Sequence, residues 1–158
     1  MMPWKTTVNH ARQDLREGKA PTTAAGEFVK EEVEHIRRGK HGARSTKQAI
    51  AIGLSKARRA GVPLKPPKPG TVKEKTRRSA ESAYRKGQTG TRKTSAKRSK
   101  AREEALKREP RQAATHAALS RQAKQAARRR QRQGPVTAGS SRAKTRGGSQ
   151  RTAHRKAA

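Results

Sequence analysis

Apolar residues recur at helical spacing in two stretches of the chain. In Thr22–Arg38, TTAAGEFVKEEVEHIRR, the residues Ala25, Val29, Val33 and Ile36 share one face at about 100° per residue, with Phe28 at its edge. Glu27, Glu31 and Glu34 line the opposite side, where Glu34 pairs at i,i+4 with Arg38. Thr22 or Thr23 can cap this helix, its early glutamates and late arginines complement the dipole, and Gly39 stops it. The second stretch is Ser45–Pro63, STKQAIAIGLSKARRAGVP. Ser45 and Gln48 form a capping box, Gly61 supplies a left-handed closing residue, Val62 can fold back onto the cap, and Pro63 forbids continuation. Ile50, Gly53, Leu54 and Ala57 fall on one face, Lys56 and Arg59 on the other, with Lys47 and Arg58 flanking the apolar stripe. Ile52 lands among the basic residues, which suggests a dimer or partner contact.

The two apolar stripes can close on each other across GKHGARS as an αα-hairpin, with Gly53 allowing close backbone approach. That connection is longer than the turn of a DNA-reading helix-turn-helix, and no good third helix is visible. Base-specific reading is therefore not expected. Residues 1–21 carry Trp4, Val8 and Leu15 at loose helical spacing, with a stop at Gly18 and Pro21, and Trp4 reads as a packing residue. Residues 63–70 form a Pro-rich spacer, expected to be extended. Thr71 and Glu74 can cap a helix through about Lys86 that has almost no apolar face. Segments 96–109 and 111–132 are rich in helix formers and are separated by Pro110. The expected fold class is all-α: a small helical hairpin over about 22–62, followed by a long disordered or conditionally helical basic tail. Four parts result: an N-terminal segment (1–21), the hairpin (22–62), the linker (63–70) and the tail (71–158).

Charge sharpens this division. The 158 residues carry 42 Lys+Arg against 11 Asp+Glu, a net charge of +31, with 28% hydrophobic residues and three aromatics, Trp4, Phe28 and Tyr84. So basic and polar a chain cannot bury enough surface to offset chain entropy over its full length. Residues 1–34 are near neutral, and no acidic residue follows Glu109. A core so thin allows a homodimer through the hairpin. The acidic face Glu27/Glu31/Glu34 is a candidate dock for the chain's own tail. Absence of cysteine excludes a disulfide framework and suits a reducing compartment. With no apolar leader region and no run of 18 apolar residues, neither secretion nor membrane spanning is expected.

Candidate chemistry is sparse. The five histidines, His10, His35, His41, His116 and His154, never take i,i+4 or HExxH spacing, and Glu34-His35 with His41 reads as a solvated helix end. Lys93-Thr94 is preceded by Arg92, not by the glycine of a phosphate-binding loop. Neither a nucleophile elbow nor a dinucleotide loop is present. The expectation is a non-enzymatic protein with no cofactor and no metal.

A polyanion is the partner that such charge implies. At one charge per about 1.7 Å of duplex axis, +31 could neutralise roughly 30 phosphates, or about 15 base pairs. A lipid-binding helix would place large apolar residues opposite the basic ones, and the tail has alanine there, so no membrane partner is expected. The scarcity of aromatics argues against a stacking platform for RNA or single strands, which favours duplex DNA and leaves RNA as the second candidate. Expected phosphate contacts are Lys47, Lys56, Arg58 and Arg59 in the hairpin, and Arg77, Arg78, Lys97, Arg98 and Lys100 after the linker. The densest cluster, Arg128, Arg129, Arg130 and Arg132, is expected to bind most strongly. Alternatives are an RNA- or ribosome-associated protein, or an adaptor whose hairpin holds a protein while its tail binds nucleic acid.

Met2–Arg12 (MPWKTTVNHAR), Glu27–Val29 and His35–Gly61, with its STKQAIAIGLSKARRAG core, resemble a family of small, basic, largely uncharacterised bacterial proteins. The likeness covers roughly residues 2–64, while the tail is similar in composition to the tails of linker histones. This resemblance implies a bacterial, nucleoid-associated or histone-like DNA-binding role; together with the charge, the expectation is a cytoplasmic protein that coats or compacts DNA through its phosphate backbone with little sequence specificity.

Overall fold

A computed structural model of the chain describes residues 4–90 and 95–132. Among these residues it is all-helical: α1 (Trp4–Arg16), α2 (Pro21–Arg37), α3 (Thr46–Arg59), α4 (Glu74–Gln88), α5 (Ala96–Lys107), a 3₁₀ turn (Gln112–Ala114) and α6 (His116–Arg132). The Lys93-Thr94 pair and the tail beyond Arg132 lie outside the described residues.

Helix α3 begins and ends as its sequence dictates, with one change. The Ser45 hydroxyl accepts from Gln48 N–H at 3.2 Å, but the Gln48 side chain accepts from Arg44 N–H at 2.9 Å instead of returning to Ser45. At the other end Gly61 has φ +93°, Gly61 N–H donates to the Arg58 carbonyl, and Val62 N–H donates to that of Ala57. These two bonds make a Schellman cap, and they turn Val62 into the core. Helix α2 starts earlier than the threonine caps suggest. Pro21 occupies its first position and Ala20 precedes it without a side-chain cap, because proline has no N–H to satisfy there.

Helices α2 and α3 pack at Gly53. A Cβ at that position would stand 2.7 Å from Val29 Cα and 3.0 Å from the Phe28 carbonyl oxygen, so only glycine lets the backbones meet this closely. The first core cluster joins Ala24, Ala25 and Phe28 of α2 with Ala57, Val62 and Ala11, and Val8, Leu15, Leu54 and Leu64 pack against it. Val8, Ala11 and Leu15 follow i, i+3, i+7 spacing, and they make α1 the third helix that sequence reading did not supply. The hairpin is thus one part of a larger packed unit. With α1 packed on α2, the Glu27/Glu31/Glu34 face is not uniformly solvated: only 9% of the Glu31 side chain is exposed, whereas Glu34 keeps 44% exposed and pairs with Arg38.

The packed unit also runs past the Pro-rich spacer. Arg58 Nε donates to the Leu64 carbonyl at 3.1 Å, tying the start of that spacer to α3. Helix α4 then packs on α3, burying Ala80 and Ala83. A Cβ on Gly87 would fall 1.8 Å from the Arg58 carbonyl oxygen. Ile52 is half-buried and belongs to neither core cluster. A second core cluster joins Val33, Ile36, Ala43 and Ala49 to Ala113, Ala114 and Leu119 from the basic region. Backbone bonds fasten the two parts: Gly42 N–H donates to the Leu106 carbonyl and Ala43 N–H to that of Pro110. Thr46 Oγ1 and Arg37 Nε donate to the Ala113 and Ala114 carbonyls. On the side of the basic region this docking uses Ala113, Ala114 and Leu119 together with main-chain bonds, against Val33 and Ile36 of α2. Among the described residues no helix is long and apolar enough to cross a membrane.

Candidate nucleic-acid interface

The cations expected to meet phosphate divide into three groups. Lys56, Arg58 and Arg77 are occupied within the protein. The Lys56 ammonium donates to Glu32 Oε2, and Arg77 holds Glu74 and Glu81 on α4. Arg58 is buried beneath the Leu64 carbonyl, and that burial lowers its guanidinium from the ordinary value although it stays charged. Each of these three has a carboxylate or carbonyl of the chain itself within hydrogen-bond reach. Arg78 is exposed but paired with Glu74 at 3.1 Å. Lys47, Arg59, Lys97, Arg98 and Lys100 are exposed, and no acid lies within ion-pair distance of them among the described residues. Lys97, Arg98 and Lys100 lie on α5, which buries no residue and is attached through the Leu106 carbonyl at its C-terminal end.

The third group is Arg128, Arg129, Arg130 and Arg132. All four are exposed, but α6 divides them. Consecutive residues on a helix stand about 100° apart, so a run of arginines cannot form one patch. Leu119, Gln122 and Ala126 are half-buried at i, i+3, i+7, where α6 packs on α3 and the 3₁₀ turn. Opposite them, Arg121, Lys124, Arg128 and Arg132 line up at i, i+3, i+7, i+11 as an exposed basic stripe. Arg129 falls in phase with Gln122, and Arg130 with Leu119 and Ala126, although both arginines are exposed. Linear charge density does not mark Arg121 and Lys124; helical phase brings them into line with Arg128 and Arg132. The arginines in the last turn also complement the negative end of the helix dipole.

A separate cluster lies inside the three-helix unit. Glu32 falls on the apolar side of α2, one turn from both Phe28 and Ile36, and its side chain is fully buried. Its Oε1 has no hydrogen-bond partner, nor has either oxygen of Glu31 or Nε2 of His35. His41 Nε2 stands 3.3 Å from Glu32 Oε1, and His35 Nε2 stands 3.5 Å from Glu31 Oε1. The two imidazole rings meet edge to face at 6.1 Å. Burial first, then the charges of Lys40 and Lys56, lower the His35 pKa from its ordinary value, so its ring is neutral at pH 7. The expectation of a solvated helix end fails here: the His35 and His41 side chains are only 15% and 13% exposed, and their carboxylate partners are Glu31 and Glu32 respectively, not Glu34. Sequence periodicity held the clue, because Glu32 interrupts an otherwise apolar stripe. A groove of about 810 Å³ between α1, α2 and α3 opens beside the cluster, with Phe28, Glu31, His35 and Lys56 among its walls.

A family model described as "Family of unknown function (DUF6496)" matches residues 18–69, the portion that holds α2, α3 and most of the spacer. Comparison with curated proteins and with solved structures gives no match.

Proposed function

We propose that this chain is a non-enzymatic, nucleoid-associated protein of histone-like character, which coats or compacts duplex DNA through its phosphate backbone with little sequence specificity. The observation that carries this reading is the α6 stripe: four exposed cations in helical phase, on a helix with no acidic residue, turned away from the face that packs. The packed unit acts as the mount, fixing α6 through Leu119 and the Ala113–Ala114 contacts. The exposed cations of α5 and the basic residues after Arg132 add further phosphate contacts, so that affinity comes mostly from counterion release. Few aromatic side chains are present to stack bases, which favours duplex over single strands.

A salt titration of full-chain binding to duplex DNA, single-stranded DNA and structured RNA tests this. The expected result is tightest binding to duplex, indifferent to sequence, with a slope on the order of −10 in log K against log salt. Tighter binding to structured RNA would replace the reading with the ribosome-associated one.

A further inference from the structure

We propose that Glu32, His35 and His41 form a binding site for a transition-metal dication of the zinc class. One ligand atom from each lies within 4.8 Å of the other two. The site is independent of the nucleic-acid reading, because it lies in the interior of the three-helix unit.

Protons decide what can stand between these groups. His41 Nδ1 stands 3.1 Å from the Gly42 carbonyl oxygen. A carbonyl can only accept, so the ring proton belongs on Nδ1 and Nε2 presents a lone pair. That lone pair faces Glu32 Oε1, itself an acceptor, at 3.3 Å inside the protein. Two acceptors at this distance repel unless a proton or a cation sits between them. Ligands bound ~2.0–2.1 Å from a tetrahedral zinc ion stand about 3.3 Å apart, the separation observed here. The Gly42 carbonyl also supplies the outer hydrogen bond that fixes a ligating imidazole in one tautomer and orientation.

The remaining groups are consistent with a dication. Lys56 occupies Glu32 Oε2, which orients the carboxylate and leaves Oε1 as the ligand. The fully buried Glu32 and the nearly buried Glu31 bring two carboxylates to the cluster, beside the ammonium of Lys56 on Glu32 and the charge of Lys40 acting on His35. Glu31 Oε1 lies 3.5 Å from His35 Nε2, beside the group but not among the three side chains whose ligand atoms converge. Two imidazoles with carboxylate oxygen select zinc, nickel, cobalt or copper over magnesium or calcium. Glu32 and His35 sit at i, i+3 on α2 and His41 arrives after the reversal at Gly39, so a search for i,i+4 histidine pairs passes over them.

The test is a titration of the full chain with Zn²⁺, read by heat and by thermal unfolding, and with Co²⁺, read by visible absorption. One equivalent is expected to bind and raise the unfolding temperature, with Co²⁺ giving the absorption of a low-coordinate nitrogen and oxygen site. His41→Gln, in the loop before α3, should weaken binding by at least about tenfold. Glu32→Gln should do the same, and the His41 variant decides the matter if the Glu32 variant fails to fold. A control with His10, His116 and His154 changed to glutamine should bind as the parent does. Absence of saturable Zn²⁺ binding, or binding unchanged by His41→Gln, would overturn the proposal and assign the gap between His41 and Glu32 to a proton.

Discussion

Helices α3 and α6 are both short, basic and rich in alanine, and they even share an echo, LSKARR in α3 and LSRQAK in α6. They use their cations in opposite ways. On α3, Lys56 is held by a buried carboxylate and Arg58 by a spacer carbonyl, so two of its four cations serve the fold. On α6 every cation is exposed, and no acidic residue from Pro110 onward offers it an internal partner. The difference lies in the neighbours. Helix α3 packs against α2 and is crossed by the spacer, which bring acceptors to it, whereas α6 touches the unit along one narrow face. Positive charge on a helix therefore marks an interface only where the fold has left that charge unmatched.

This contrast can be broken by exchanging structural for interfacial effects. The largest stability loss is expected for Lys56→Met, which leaves the buried Glu32 carboxylate without its ammonium. About 2–3 kcal/mol in denaturant unfolding is expected after allowing for the partial exposure of Lys56. Next comes Arg58→Ala, which removes a packed stem and its bond to the Leu64 carbonyl. About 2 kcal/mol is expected, with little change in the salt slope of DNA binding. A slope reduced as much as by an α6 substitution would show that Arg58 faces DNA after all. Gly87→Ala sharpens the comparison on the α4 side of α3, where the added methyl would collide with the Arg58 carbonyl. A loss of about 1–2 kcal/mol is expected, with increased amide exchange in α4 and little change in α2.

The smallest effect concerns acid. The Glu74 carboxyl is held down at about 2 by hydrogen bonds from Arg77 and then Arg78 at the start of α4. A folded-state pKa below the ordinary 4.5 contributes stability that is complete above that value and is lost as pH falls towards about 2. Backbone chemical shifts of the first turn of α4 should therefore move towards coil over that interval. Glu74→Gln should remove this pH dependence and fray the turn at neutral pH.

Much of α2 and α3 could be read from the chain, since capping residues, a Gly-Val-Pro stop and large apolar side chains act locally. The close approach at Gly53 was legible for the same reason. What escaped was made of small residues and main-chain bonds. Ala80, Ala83 and Gly87 form a packing face, and Ala113 and Ala114 complete a core, without the hydrophobic contrast that periodicity detects. The bonds from Gly42 and Ala43 to Leu106 and Pro110 have no side-chain signature at all. Glu32 is hidden differently: its charge on the inner side of α2 has no local explanation, because the groups that meet it, His41 and Lys56, come from elsewhere in the fold.

If the location of charge, and not its total, makes α6 the proposed interface, two variants of equal net charge must behave differently. One changes Arg121, Lys124, Arg128 and Arg132 to glutamine; the other changes Lys30, Lys65, Lys68 and Lys75, which are also exposed. Salt titrations of duplex binding are then compared. The α6 variant is predicted to lose about 3–4 from the slope of log K against log salt, while the second variant loses less than about 1. Equal losses in the two variants would contradict this, and would mean that the chain binds as a diffuse polycation with no interface on α6.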